Sequence, residues 1–194
     1  MNDEAITVVS GLPRSGTSMM MSMLKAGGVE LLQDGIRTAD HDNPKGYYEL
    51  EQVKKLKEDK TWLADAKGKA VKIISQLIYE LPTEGYRYNV IFMRRNIEEI
   101  LKSQTEMLKR RGTHDPSVSD DEIRRMFIVH LDHIVNWINR QTCLDVVYVN
   151  YNRMLKDPTD AIERIDGLLG GGLDTRAMAG VIDPDLYRQR AGKS

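Results

Sequence analysis

A short glycine-containing turn near the N-terminus restricts the fold of this chain more than any other sequence feature. Residues 6–10 before it are β-branched and apolar enough to form a buried strand, and the methionine-rich residues 19–24 after it have the composition of a helix. The turn itself, residues 11–18, is Gly-Leu-Pro-Arg-Ser-Gly-Thr-Ser. The unpaired N–H groups and positive dipole end of a helix N-terminus favour a bound anion. The order of strand, turn and helix therefore predicts a phosphate-binding loop.

The turn has the spacing of the nucleotide-binding loop G-x-x-x-x-G-K-[ST], with one change. Thr17 stands where that loop has the lysine that reaches the β- and γ-phosphates, and the nearest cation is Arg14, inside the turn. We therefore interpret the loop as a phosphate cradle that is not built to split ATP. The residues expected to bind the phosphate are Arg14, Ser15, Gly16, Thr17 and Ser18.

Length, charge and cysteine content restrict the number of domains, the class of ligand and the compartment. The 194 residues suit one domain, residues 1–194, and the net charge of −1 provides no overall positive field to recruit nucleic acid. The single cysteine, Cys143, excludes an internal disulfide and fits a reducing compartment. The sequence contains no secretory signal pattern and no apolar run near the roughly 20 residues of a membrane span. We expect a cytoplasmic protein without a membrane span.

Apolar segments alternate with helical patterns along the chain. Strand character is found at residues 5–10, 70–74, 89–93 and 144–149, and helical patterns cover residues 49–60, 97–111, 120–140 and a segment from Pro158. Ser119 and Glu122 fit a capping box, and Asp157 fits an N-cap before Pro158. This alternation predicts an α/β fold with a mostly parallel sheet flanked by helices. Residues 33–48, rich in turn pairs, are expected to form a long loop after the anion site.

A pair of arginines, Arg94 and Arg95, follows the third apolar segment directly. The carboxyl ends of parallel strands are where open α/β sheets bind ligands. Ser103 comes eight residues after Arg95, which is about two helical turns. A bend between strand and helix would direct Arg95 and Ser103 at one anion.

Together these motifs resemble the sulfotransferases that use 3′-phosphoadenosine 5′-phosphosulfate (PAPS). In that family the first motif, here residues 13–18, holds the 5′-phosphosulfate, and the second, R-N-x6-S, holds the 3′-phosphate, which maps onto Arg95 and Ser103. The family's adenine-contacting tyrosine maps onto Tyr151, and its catalytic strand lysine onto Lys72. The resemblance implies a three-layer fold like that of P-loop nucleotide kinases, and a small enzyme of bacterial type.

Four positions decide how far this resemblance extends. Met19 stands where many cytosolic members have an adenine-stacking tryptophan, and Arg14 replaces their loop lysine but keeps its charge. Arg188 and Arg190 resemble a C-terminal basic motif that adds to the 3′-phosphate pocket in some members. The implied products are a sulfated acceptor and 3′,5′-ADP.

The chemistry requires cations where negative charge builds on the bridging oxygen, and a base for the acceptor hydroxyl. Arg14 and Lys72 are our candidates for the cations, and no acidic pair is spaced for magnesium, so we expect no metal. Glu49 is the favoured base, with His41 and Asp42 as alternatives in the same loop.

Several questions stay open from the sequence alone. A P-loop kinase is the first rival function, although Thr17 speaks against it, and an inactive nucleotide-binding module is the second. His130 and His133 have a spacing compatible with a metal, but a helix face explains it better. The acceptor is expected to be a hydroxyl of a small molecule, glycan or lipid, and the oligomeric state cannot be predicted.

Overall fold

The fold is built around a sheet of four parallel strands, seen in a computed structural model that describes residues 4–41 and 43–183. The strands are β1 (Ala5–Gly11), β2 (Ala70–Lys72), β3 (Arg87–Arg94) and β4 (Leu144–Asn150). Their order across the sheet is β2-β1-β3-β4, and every neighbouring pair is parallel. The prediction of an α/β fold with a mostly parallel sheet is confirmed.

Helices connect the strands and cover both faces of the sheet. They are α1 (Thr17–Ala26), α2 (Ile97–Arg110), α3 (Asp120–Ile138), α4 (Tyr151–Met154), α5 (Thr159–Leu168) and α6 (Thr175–Gly180). Short 3₁₀ turns occupy Glu51–Lys55, Thr61–Leu63 and Ile78–Glu80. The capping box of Ser119 and Glu122 is present, as the sequence predicted. No helix in the described part of the chain is both long and apolar enough to cross a membrane.

Some element boundaries differ from the sequence predictions. The helix expected at residues 49–60 is wrong, because only Glu51–Lys55 forms a helical turn there, and it is a 3₁₀ turn. The buried side chains around it, Leu50, Val53 and Leu56, are three residues apart, which is the period of a 3₁₀ helix rather than an α-helix.

Three further differences are small shifts or additions. β2 ends at Lys72 rather than residue 74, and α5 begins one residue after Pro158, which is its N-cap. The short helix α6 was not predicted, and its first turn is capped by the side chain of Asp174.

The core consists of two apolar layers, one on each face of the sheet. Side chains alternate along a strand, so Val8 of β1 points into the layer that contains Trp62 and Ile134, whereas Val9 points into the layer that contains Met20 of α1. The result is a three-layer architecture of helices, sheet and helices. Parallel sheets need this cover because both of their faces are apolar.

The register of the sheet brings the carboxyl ends of all four strands to one edge. Val9 of β1 is paired with Lys72, and Gly11, the last residue of β1, is paired with Met93. Asn150 ends β4 opposite Arg94. The residues that follow these strand ends therefore share one region of the molecule.

We expect Gly11→Ala to destabilise the fold more than Gly28→Ala. Both glycines have positive φ, +145° and +94°, so each alanine strains the backbone, by roughly 1–3 kcal/mol. A Cβ at Gly11 would also lie 2.6 Å from the carbonyl oxygen of Met93, whereas the space at Gly28 is open. Urea denaturation of the two variants measures the difference. Equal losses in the free energy of unfolding would contradict the close packing of Gly11 against Met93 of β3.

Candidate functional site

The turn after β1 folds as a tight loop that delivers the N-terminus of α1 to the carboxyl edge of the sheet. Gly16 immediately precedes α1 with φ +100°, and Arg14 has φ +69°, a left-handed conformation that is uncommon for any residue other than glycine. A Cβ at Gly16 would overlap the ring of Tyr151, so only glycine fits here. The first N–H groups of α1 lack acceptors within the helix and face outwards. The loop has the construction of an anion site.

The loop and the arginine segment after β3 contact each other directly. Arg14 donates from Nε to Ser103 Oγ at 2.9 Å, and Arg95 donates from Nη1 to the carbonyl oxygen of Arg14 at 3.0 Å. The guanidinium of Arg95 also lies 4.7 Å from the ring centre of Tyr151. Two motifs that are about eighty residues apart in sequence thus form a single cluster.

A buried carboxylate fixes the orientation of Arg95. Glu99, which is 2% exposed, accepts from Arg95 Nε at 3.0 Å and from Asn152 Nδ2 at 2.8 Å. Sequence reasoning predicted Arg95 but missed Glu99 and Asn152. The spacing of Arg95 and Glu99, four residues apart across a helix start, was the signal that could have found the ion pair.

Lys72, at the end of β2, reaches the same region from the other side of β1. Its ammonium group donates to the carbonyl oxygen of Tyr47, to Ser18 Oγ at 3.3 Å and to Glu49 Oε1 at 3.1 Å. The side chain is buried, and burial lowers the pKa of Lys72 below its ordinary value even though the Glu49 carboxylate opposes this. Lys72 is therefore a desolvated cation beside the start of α1.

Glu49 is held between two cations. Arg37 donates from Nη1 to Oε1 at 3.0 Å and to Oε2 at 3.2 Å, while Lys72 binds Oε1. Burial raises the pKa of Glu49, but Lys72 and Arg37 outweigh it, so the pKa lies below its ordinary value. Glu49 is ionised at neutral pH. Sequence reasoning missed Arg37, since nothing in its local pattern distinguishes it from other loop cations.

These groups surround one cavity of about 440 Å³. The expected site residues that line it are Arg14, Gly16, Thr17, Ser18, Glu49, Lys72, Arg95, Ser103 and Tyr151. Arg37, Arg110 and Arg111 line it as well, so its walls carry more cations than carboxylates. The cavity is suited to a polyanionic ligand.

Other expected residues lie elsewhere. Ser15, within the loop, is buried and does not line the cavity, and within the described residues its Oγ has no hydrogen-bond partner. His41 is exposed and does not line the cavity. Asp42, Arg188 and Arg190 lie outside the described residues.

The histidine pair on α3 takes no part in the cavity. His130 Nε2 lies 2.9 Å from Ser75 Oγ, and its ring packs edge-on against Tyr79. In residues 4–41 and 43–183, no cluster of three or more His, Cys, Asp or Glu residues could hold a metal ion. The expected helix-face role of His130 and His133 explains their spacing.

No protein-family model matches this sequence, and no curated protein sequence matches it. Several solved structures, however, are similar to this chain. The mouse sulfotransferase SULT7A1, complexed with PAP, is 16% identical, with a TM-score of 0.54 over all of this chain and 68% of its own. The sulfotransferase domain of the Synechococcus PCC 7002 olefin synthase is 15% identical, with a TM-score of 0.58 over all of this chain and 90% of that domain.

A third structure agrees with these two. Retinol dehydratase, in complex with androsterone and inactive cofactor PAP, is 13% identical, with a TM-score of 0.50 over 97% of this chain and 71% of its own. At such identities the likeness is one of fold. The chain has the P-loop-like α/β fold of the sulfotransferases, as the sequence motifs predicted.

We expect Glu99→Ala to lower the free energy of unfolding by about 3 kcal/mol, because it leaves the largely buried Arg95 guanidinium without its carboxylate. The matched control is Glu163→Ala, on the exposed face of α5, which should change the free energy by less than about 0.5 kcal/mol. Urea denaturation monitored by circular dichroism measures both. A Glu99 variant as stable as the control would show that the ion pair contributes no net stability.

Proposed function

We propose that this protein transfers a sulfuryl group from PAPS to the hydroxyl of an acceptor. The observation that carries the proposal is that Arg14, Lys72 and the N-terminus of α1 line the same cavity, in a chain with the sulfotransferase fold. Two of the structures with this fold were determined with PAP, which is 3′,5′-ADP, the product that PAPS would leave.

The cavity fits such a donor in size and in charge. A volume of about 440 Å³ is within the range of roughly 300–1,000 Å³ for small-molecule sites. The hydroxyls of Thr17 and Ser18 and the first N–H groups of α1 offer neutral donors to the 5′-phosphosulfate, and Arg14 offers a charged one. PAPS, when bound, supplies the sulfuryl group.

The 3′-phosphate is assigned to Arg95 and Ser103, and the adenine to the neighbourhood of Tyr151. Arg95 and Ser103 both line the cavity and both contact Arg14, so one phosphate beside them would adjoin the loop. Tyr151 packs against Gly16 and under the Arg95 guanidinium. Arg188 and Arg190 are proposed to add to the same phosphate contacts.

Lys72 and Arg14 stabilise the negative charge that develops on the bridging oxygen during transfer. Lys72 is desolvated, which strengthens its electrostatic interactions, and its position is fixed by three acceptors. Glu49 accepts the proton of the acceptor hydroxyl as that oxygen forms its bond to sulfur. The low pKa of Glu49 keeps the carboxylate available for this proton at neutral pH.

Further parts of the proposal concern the setting of the reaction. We propose that residues 1–194 form one domain of a cytoplasmic, bacterial-type enzyme, and the single cysteine is consistent with that compartment. We also propose that transfer needs no metal, because Arg14 and Lys72 supply the cations. The acceptor is assigned only as a hydroxyl of a small molecule, glycan or lipid.

We expect 3′,5′-ADP to raise the melting temperature without magnesium, because a ligand that binds only the folded state stabilises it. ATP should give a smaller shift that magnesium does not increase, because Thr17 replaces the lysine of a kinase loop. A thermal-shift assay measures both. A large shift with ATP that depends on magnesium would support a kinase instead.

The control for this assay is Arg95→Ala. It should reduce the shift by 3′,5′-ADP much more than the shift by AMP, since only 3′,5′-ADP carries the 3′-phosphate assigned to Arg95. Charge-assisted contacts are worth roughly 1.5–3 kcal/mol, so the affinity for 3′,5′-ADP should fall about tenfold or more. Equal losses for the two nucleotides would overturn the assignment of Arg95.

We expect Lys72→Met to lower kcat by about 10²–10³, with little change in 3′,5′-ADP affinity, since its charge acts mainly in the transition state. The matched control is Lys69→Met, three residues earlier, whose ammonium pairs with Glu30. Sulfuryl transfer to any hydroxyl acceptor found by screening gives kcat, and calorimetry gives affinity. If kcat survives and only affinity falls, Lys72 binds the donor and is not catalytic.

A further inference from the structure

Arg37 contacts the proposed base more completely than any other cation in the described chain. Its Nη1 lies 3.0 Å from Oε1 and 3.2 Å from Oε2 of Glu49, so one guanidinium nitrogen donates to both carboxylate oxygens. Lys72, by contrast, donates to Oε1, at 3.1 Å. A carboxylate held at a single oxygen can rotate about its last side-chain bond, because that torsion is broad. Contact with both oxygens restricts this rotation.

Arg37 is itself held in place by an aromatic side chain. Its guanidinium carbon lies 3.4 Å from the ring centre of Tyr47, in a cation–π arrangement. Tyr47 is buried, and its hydroxyl donates to the Asp40 carboxylate, with distances of 2.7 and 2.8 Å to the two oxygens. The ring is therefore a fixed surface on which the guanidinium rests.

The same tyrosine is connected to the transfer centre through its backbone. The carbonyl oxygen of Tyr47 accepts from Lys72 Nζ and, at 3.4 Å, from Ser18 Oγ. Arg37 and Lys72 are thus located by one residue, Arg37 by its ring and Lys72 by its carbonyl. Any movement of Tyr47 changes the position of both cations relative to Glu49.

We propose that Arg37 is a positioning residue that orients the Glu49 carboxylate for proton transfer from the acceptor hydroxyl. This inference rests on the proposed function, since it assigns a role within that same site. Arg37 acts through Glu49 and does not contact the reacting atoms. The proton of the acceptor hydroxyl goes to Glu49, and Arg37 takes no part in the formation of the bond to sulfur.

Arg37 also influences the ionisation of Glu49. Its positive charge lowers the pKa of the carboxyl group, as does that of Lys72 on β2, while burial raises it. Other charges near Arg37 and Lys72 include Arg14, which acts on Lys72, and Asp40 and Arg111 at the far end of the Tyr47 ring. Loss of Arg37 should therefore raise the pKa of Glu49, so that the carboxylate becomes protonated at a higher pH.

Two variants separate the charge of Arg37 from its shape. Arg37→Met keeps an unbranched side chain and removes the charge, whereas Arg37→Lys keeps the charge but replaces the planar guanidinium by a point charge. Arg164→Met, which removes an exposed ion pair on α5, is the control. The pH dependence of kcat/KM and the ¹³C NMR titration of the Glu49 carboxyl are measured for each, with Glu49→Gln to assign the resonance.

For Arg37→Met, we expect the acidic limb of kcat/KM and the NMR midpoint to move to higher pH together, by about one unit. The rate at pH 7 should also fall by about tenfold, because the carboxylate is less well oriented. Arg37→Lys should keep the midpoint and lose part of the rate. Affinity for 3′,5′-ADP should stay within the range of the Arg164 control.

The proposal is overturned if the Glu49 midpoint in Arg37→Met equals that of the wild type. It is also overturned if the rate loss is independent of pH and is accompanied by a matching loss of 3′,5′-ADP affinity, which would make Arg37 a donor-binding residue. The NMR midpoint does not depend on turnover. A midpoint that moves in a protein that transfers no sulfuryl group would therefore show that the proposed function has failed, and the positioning role with it.

Discussion

The pairing of β1 with a strand on each side is the constraint on which the other features depend. β1 is buried along its whole length and is paired with β2 on one side and β3 on the other. Because these pairs are parallel, the segments that leave the three strands emerge at one edge. The loop with Arg14, the ammonium of Lys72 and the guanidinium of Arg95 are brought together by this register rather than by proximity in sequence.

The cations at this edge would repel one another, but nearby carboxylates partly neutralise them. Glu99 neutralises Arg95, and Glu49 lies between Lys72 and Arg37. Removing charges from water is costly, so each of these pairs needs additional hydrogen bonds. Asn152 supplies one to Glu99, and the Tyr47 carbonyl accepts one from Lys72. The site therefore keeps positive charge for a ligand without leaving a buried cation uncompensated.

The sequence was most informative where local pattern and local structure coincide. The turn before α1 and the capping box of α3 are decided by residues a few positions apart, and both were predicted. The 3₁₀ turn at Glu51–Lys55 was mistaken for an α-helix because charged residues suit both structures. The three-residue spacing of the buried Val53 and its neighbours distinguishes the two. Arg37 and Asn152 were missed because their partners are 12 and 53 residues away. Hydrophobic patterns along the sequence do not reveal contacts of this kind.

The contact between Lys72 and Glu49 links the two halves of the proposed reaction. A carboxylate with a lowered pKa is a weak base, so proton transfer to Glu49 would be unfavourable if it occurred alone. When Glu49 accepts a proton, however, it loses the charge that pairs with Lys72. The ammonium then interacts more strongly with the negative charge growing on the bridging oxygen, because the site is desolvated. The gain at Lys72 offsets the weakness of the base, so proton transfer and sulfuryl transfer are expected to advance together.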